Sequence, residues 1–120
     1  MNLREVFRMR WIVIFLAAIA ISTAASSQSI NGVYDISPEA CTREMSDGRV
    51  NVQGNNLGFW ESACQLTNPT TVRGMQAGAL FDLKCSGEGE EWASRALVGL
   101  DYDGGLIIYN DGGMSKYFRC

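Results

Sequence analysis

Any catalytic chemistry in this chain has to come from carboxylates or cysteines, because its 120 residues include no histidine. Without an imidazole, Ser-His-Asp and Cys-His catalysis and the usual zinc-hydrolase ligand sets are closed to it. The acids that could form a working pair are Glu88 or Glu90 on one side and Asp101 or Asp103 on the other, with Glu91, Trp92 and Tyr102 beside them. One carboxylate from each group would suit a glycosidase, in which one acid protonates the leaving oxygen and the other acts on the far side of the bond. Both groups, however, lie in turn-forming sequence, Ser86-Gly87-Glu88-Gly89-Glu90 and Asp101-Tyr102-Asp103-Gly104-Gly105, where acids ordinarily serve the turn and face solvent. Asp101, Asp103 and Asp111 stand near glycines but lack the terminal glutamate of an EF-hand loop, so no metal is expected. No phosphate-binding or dinucleotide fingerprint occurs, so no cofactor is expected either. The residues point to a protein that binds rather than one that catalyses, with Glu88, Glu90, Glu91, Trp92, Asp101, Tyr102 and Asp103 as candidate contacts.

The cysteines read as architecture. Cys41, Cys64, Cys85 and Cys120 are separated by 23, 21 and 35 positions, with no C-x-x-C pair to suggest a metal site or a redox motif. An even count in a short exported chain predicts two disulfides formed in an oxidising compartment. Of the three possible pairings, Cys41–Cys64 and Cys85–Cys120 are favoured, because each closes a loop within one half of the chain, at about 2–4 kcal/mol apiece.

The elements that must position these residues are short strands. Between Cys85 and Cys120 three apolar runs, Trp92–Leu100, Leu106–Tyr109 and Tyr117–Phe118, are cut apart by Gly-containing turn signals, the pattern of consecutive antiparallel hairpins. Upstream, Ile30–Ile36 reads as a first strand, Ser37-Pro38-Glu39-Ala40 as one capped helical turn, and Cys41–Gly48 as a long loop tethered by Cys41. Arg49–Gln53 alternates, Gly54-Asn55-Asn56 turns, and Leu57–Leu66 runs back with both faces partly apolar, so its inner face is left open. Thr67-Asn68-Pro69-Thr70 is a break, Thr71–Gln76 a poor strand, and Ala79–Cys85 a clear one. About seven to eight short strands at intervals of roughly ten residues, with no sustained helical period, predict an all-β fold: a small antiparallel barrel or sandwich. Trp60, Trp92, Phe59, Phe81 and Tyr102 are core candidates in such a domain, and any that stay on the surface beside acidic turns would form a binding patch.

Residues 1–27 read as a cleaved signal peptide and 28–120 as a single domain. Arg4, Arg8 and Arg10 precede an apolar run, Trp11–Ile21, and small residues follow it. That run is shorter than the roughly 20 residues a membrane-spanning helix needs, so no membrane association is expected after cleavage. The chain carries ten basic and thirteen acidic residues; without Arg4, Arg8, Arg10 and Glu5 these become seven and twelve, a charge of −5. Such a surface repels nucleic acid, keeps a small monomer soluble, and attracts a basic partner. The expected location is the periplasm or the extracellular medium.

The arrangement Gly32-x-Tyr34, Cys41, Cys64, Cys85-Ser86-Gly87-Glu88-Gly89 and Arg119-Cys120 resembles small exported four-cysteine bacterial proteins of unknown function. The resemblance spans nearly all of 28–120 and implies no activity. In size, export and all-β build the chain is also similar to periplasmic inhibitors of lysozyme and of secreted proteases. Ser86-Gly87 is followed by Glu88, Gly89 and Glu90, without the tyrosine of the Ser-Gly-x-x-Tyr loop in the C-type lysozyme inhibitors, so no inhibitory residue carries over. The expectation is a binding or inhibitor module acting through the hairpin loops 86–91 and 101–105 on a basic extracytoplasmic protein. The alternatives are a structural envelope protein with no discrete ligand and a small carboxylate hydrolase.

Overall fold

The computed structural model of the protein describes residues 18–19 and 29–120. The signal-peptide expectation for 1–27 lies outside the described residues, apart from 18 and 19. The rest is an all-β unit in which eight consecutive antiparallel strands close into a barrel in the order β1 to β8. They are β1 (Gly32–Asp35), β2 (Val50–Gln53), β3 (Asn56–Phe59), β4 (Ser62–Val72), β5 (Met75–Gly87), β6 (Glu90–Leu100), β7 (Leu106–Asn110) and β8 (Gly113–Arg119). A helical turn, α1 (Pro38–Cys41), follows β1; the Ser37 hydroxyl caps it by accepting from the Ala40 N–H, and Pro38 opens it, as the sequence predicts. Closure pairs every strand with a neighbour on each side, which leaves no whole edge strand open to edge-to-edge association.

Alternation places one face of each strand inside. Tyr34, Val50, Val52, Leu57, Leu66, Leu83, Val98, Leu106 and Ile108 form the core together with the sulfurs of Cys64 and Cys85. The turns follow the local chemistry. Glu88-Gly89, between the paired residues Gly87 and Glu90, has positive φ at both positions, the requirement of a type I′ hairpin.

The sequence presents Leu57–Leu66 as one arm with two apolar faces, whereas the structure divides it into β3 and the start of β4, with Phe59 paired to Ser62 across the turn Trp60-Glu61. Leu57 and Phe59 are odd-numbered, Cys64 and Leu66 even-numbered, and a two-residue reversal brings both sets to the inner side. The residues 67–70 are not a break but an irregular part of β4. A bulge between Thr67 and Thr70 absorbs Pro69, and Asn68 takes a φ of +50°.

The disulfides form, but not in the favoured pairing: Cys41 bonds Cys120 and Cys64 bonds Cys85. Each of these pairings has a physical reason. Cys64 and Cys85 face each other across the β4–β5 ladder with their Cα atoms 4.0 Å apart, within reach of a bridge and far from any other cysteine's strand. Cys41 and Cys120 meet at the closing seam, where β1 and β8 share only the register pairs Tyr34–Arg119 and Asp35–Phe118 and a Cys120 N–H to Val33 carbonyl bond of 2.8 Å. Two bonded pairs and no free thiol among the described residues fit an oxidising, extracytoplasmic environment.

A second device holds the seam. The Asp35 carboxylate is fully buried and accepts from the Ile36 N–H at 2.8 Å, the Ser46 hydroxyl at 2.9 Å and Arg49 Nε at 3.3 Å. Arg49 also donates to the carbonyls of Ala40, Arg43 and Glu44, so one guanidinium folds the 36–49 loop over the outside of β1. A buried carboxylate so fully satisfied is a structural group.

Candidate functional site

The contact residues expected from sequence fall into two places. Glu88, Glu90, Glu91 and Trp92 lie at the β5–β6 turn, and Asp101, Tyr102 and Asp103 lie in the β6–β7 loop, at opposite ends of the 11-residue strand β6. At about 3.3 Å per residue the two sets are separated by roughly 30 Å. The carboxylate pair of the hydrolase alternative, Glu88 or Glu90 with Asp101 or Asp103, is therefore not assembled. Among the described residues no group of three His, Cys, Asp or Glu side chains converges for a metal ion.

The β6–β7 loop is held by its own charges. Lys116 Nζ lies 2.7 Å from Asp101 Oδ2 and 2.8 Å from Asp103 Oδ2, and the Gly105 N–H donates to Asp103 Oδ1 at 2.9 Å. The Lys116 hydrogen bond, then the Gly105 amide, hold the Asp103 carboxyl below its ordinary range, and the two carboxylates push Lys116 above its own. The ammonium also sits over the rings of Phe118, at 5.4 Å, and Tyr102, at 5.8 Å. Arg119 donates to the carbonyls of Gly104, Asn31 and Ser29 and stacks 4.9 Å from the Tyr34 ring, so it ties the loop to the chain entering β1. Tyr102 is 96% exposed, but its acidic neighbours are neutralised from within.

The opposite rim is different. The turns Trp60-Glu61 and Glu88-Gly89 stand side by side because Ser62 pairs with Gly87, which puts them about two strand spacings apart, roughly 10 Å. The rim thereby gathers Glu61, Glu88, Glu90 and Glu91 around two half-exposed indoles, Trp60 at 47% and Trp92 at 45%. Among the described residues none of these four glutamates is in an ion pair, and neither are Glu39, Glu44, Asp47 and Asp111, whereas Asp35, Asp82, Asp101 and Asp103 are. Glu61 and Glu88 hold φ of +61° and +52°, a left-handed backbone that costs an ordinary L-residue about 1–2 kcal/mol.

Trp92 is opposite Cys85 in the ladder and shares its face, while Glu91 turns outward. Beside them the outer wall dips into a groove of about 750 Å³, lined by the small side chains of Ala63, Ser86 and Ala93 and flanked by Gln65 and Lys84. Sequence reasoning missed Glu61 and the rim position of Trp60, because the turn between β3 and β4 contains neither Gly nor Pro. The change of apolar phase between Phe59 and Cys64 was the signal that could have found it.

No protein-family model, curated protein sequence or solved structure matches this chain.

Proposed function

We propose that the protein is an extracytoplasmic binding module, periplasmic or secreted, whose partner-facing surface is the acidic rim formed by the β3–β4 and β5–β6 turns. The partner is a basic protein, and a basic extracytoplasmic hydrolase of the lysozyme type fits the charge, which makes the module an inhibitor.

One observation carries the reading: four glutamates without an ion pair share one rim with two half-exposed tryptophans, while Asp101 and Asp103 at the opposite end of β6 are bonded to Lys116. Indoles provide large apolar contact at low entropic cost, and tryptophan is enriched among residues that dominate binding energy. Like charges held close together repel one another, so a basic partner relieves the repulsion as it docks and is steered to the rim from a distance. Glutamate at two left-handed turn positions, where glycine is favoured, fits side chains retained for what they contact.

The test is an inhibition panel. The purified protein is mixed with basic lysozymes and secreted hydrolases, and residual activity is measured against its molar ratio. One enzyme should slow at a near-stoichiometric ratio, and Glu61→Gln, Glu88→Gln, Glu90→Gln and Glu91→Gln together should abolish the effect. A panel without inhibition removes the inhibitor assignment, and a quadruple variant that still inhibits removes the rim.

A further inference from the structure

We infer that the end of the barrel away from the acidic rim is a small-molecule site for a single-chain amphiphile with an anionic head. Strands β4 and β5, of 11 and 13 residues, outrun their neighbour β3, whose ladder with β4 ends at the pair Asn56–Gln65. The overhanging hairpin is bent by two irregularities in its ladder, between Thr67 and Thr70 and between Thr71 and Val72, and its tip is Arg73-Gly74. Bulges concentrate at barrel rims, where they re-aim the chain.

Under this hairpin the mouth of the barrel opens into a recess of about 970 Å³. Its inner end is the top of the core, Leu66, Phe81 and Val98, and Ile30, Val72 and Met75 contribute apolar walls. Arg73 is the one charged side chain on the lining, in a chain whose net charge is −3. Among the described residues no carboxylate pairs with it. The nearby acids of the β6–β7 loop are already bonded to Lys116, and Arg119 is occupied with backbone carbonyls. A mostly apolar recess of this size, with Asn31, Asn55, Thr71 and Gln76 among its polar lining and one unpaired cation at its lip, has the make-up of a ligand site in a barrel mouth. The apolar chain goes inward onto Leu66 and Phe81, and a carboxylate or phosphate head stays at the lip with Arg73.

Parinaric acid, a fluorescent fatty acid, is titrated into the protein below its micellar concentration. Saturable binding at one site is expected. Arg73→Glu should weaken it by about tenfold, the loss typical of a charge-assisted hydrogen bond. Ala77→Trp, also exposed on the lining, should fill the recess and abolish it; circular dichroism checks that both variants keep the fold.

Displacement by hexadecanoate and by a lysophosphatidylglycerol of the same chain length tells a free fatty acid from a lipid as the better occupant, and either result supports the site. Hexadecanol should displace at least tenfold more weakly; equal displacement overturns the role of Arg73. Absence of saturable binding, or binding unchanged in both variants, overturns the site and points to adsorption on the outward apolar row Leu80, Leu97, Tyr109 and Met114. The quadruple glutamine variant of the rim should bind parinaric acid like the wild type, so this site and the rim stand or fall separately.

Discussion

The two ends of β6 carry the same kinds of residue and use them in opposite ways. At one end Glu88, Glu90, Glu91 and Trp92, joined by Trp60 and Glu61 from the neighbouring turn, hold their charges unpaired around half-exposed indoles. At the other end Asp101 and Asp103 close on Lys116, with Tyr102 and Phe118 beneath the ammonium, so the loop's charge is consumed in shaping the loop. The difference does not lie in the acids but in β8, which brings a lysine to one end and none to the other. Whether the acids of a loop keep their charge unpaired is decided here by where a strand distant in sequence places its cation.

A rigid wall keeps the two ends of β6 apart, and removing each disulfide is the hardest test of that rigidity. In the chain-entropy picture, the Cys41–Cys120 bridge, which spans 79 positions, contributes about 4.5 kcal/mol, and the Cys64–Cys85 bridge, which spans 21, about 3.4 kcal/mol. Cys41→Ala with Cys120→Ala should therefore lower the urea-unfolding free energy by more than Cys64→Ala with Cys85→Ala. Equal losses would mean that the seam does not depend on its staple.

Next in size is Asp35→Ala, which strands Arg49 and the Ser46 hydroxyl. Breaking a buried pair typically costs about 3–5 kcal/mol, and partial exposure of Arg49 brings the expectation down to about 2–3 kcal/mol. Amide exchange should quicken across 36–49 and stay unchanged at both ends of β6.

Smaller still, Glu61→Gly and Glu88→Gly should each raise stability by about 1 kcal/mol by releasing the left-handed strain, while weakening the partner. Unchanged stability would deny that strain is held at the rim.

The smallest effect is one of pH. The folded Asp103 carboxyl is depressed, so its contribution is present above its ordinary value of 3.8 and is lost as pH falls through the lower folded value. The folded Lys116 ammonium is raised, so its contribution is complete below 10.5 and is lost only as pH rises beyond that. Amide exchange in 101–105, corrected for its intrinsic pH dependence, should stay flat between those limits and rise outside them. Lys116→Met should remove the plateau.

Much of the barrel was legible because its turns carry local chemistry. Ser37-Pro38, Glu88-Gly89 and Asp111-Gly112 each interrupt an apolar alternation, the turn expected at Asn55-Asn56 falls one residue earlier, at Gly54-Asn55, and β6 read as a strand from its flanking turns despite its helix-forming Ala, Arg and Leu. What was hidden depended on pairing across the barrel. The cysteine partners follow from register, since Cys64 meets Cys85 through the β4–β5 ladder, and only closure of β1 on β8 brings Cys41 to Cys120. The rim was half visible: Glu88, Glu90, Glu91 and Trp92 are adjacent in sequence, but Trp60 and Glu61 join them through a turn with no Gly or Pro. The pairing of Asp101 and Asp103 with Lys116 was invisible for the same reason, because it arises from the placement of β8.

The most direct measurement is calorimetric titration of the proposed partner, a basic hydrolase drawn from the inhibition panel, at two ionic strengths, against the wild type and two variants. One carries glutamine at 61, 88, 90 and 91; the other carries Asp101→Asn and Asp103→Asn. The rim variant should lose binding, with the salt dependence of what remains flattened, while the loop variant binds as the wild type does. Retained affinity in the rim variant, or its loss in the loop variant, would contradict the assignment of the two ends.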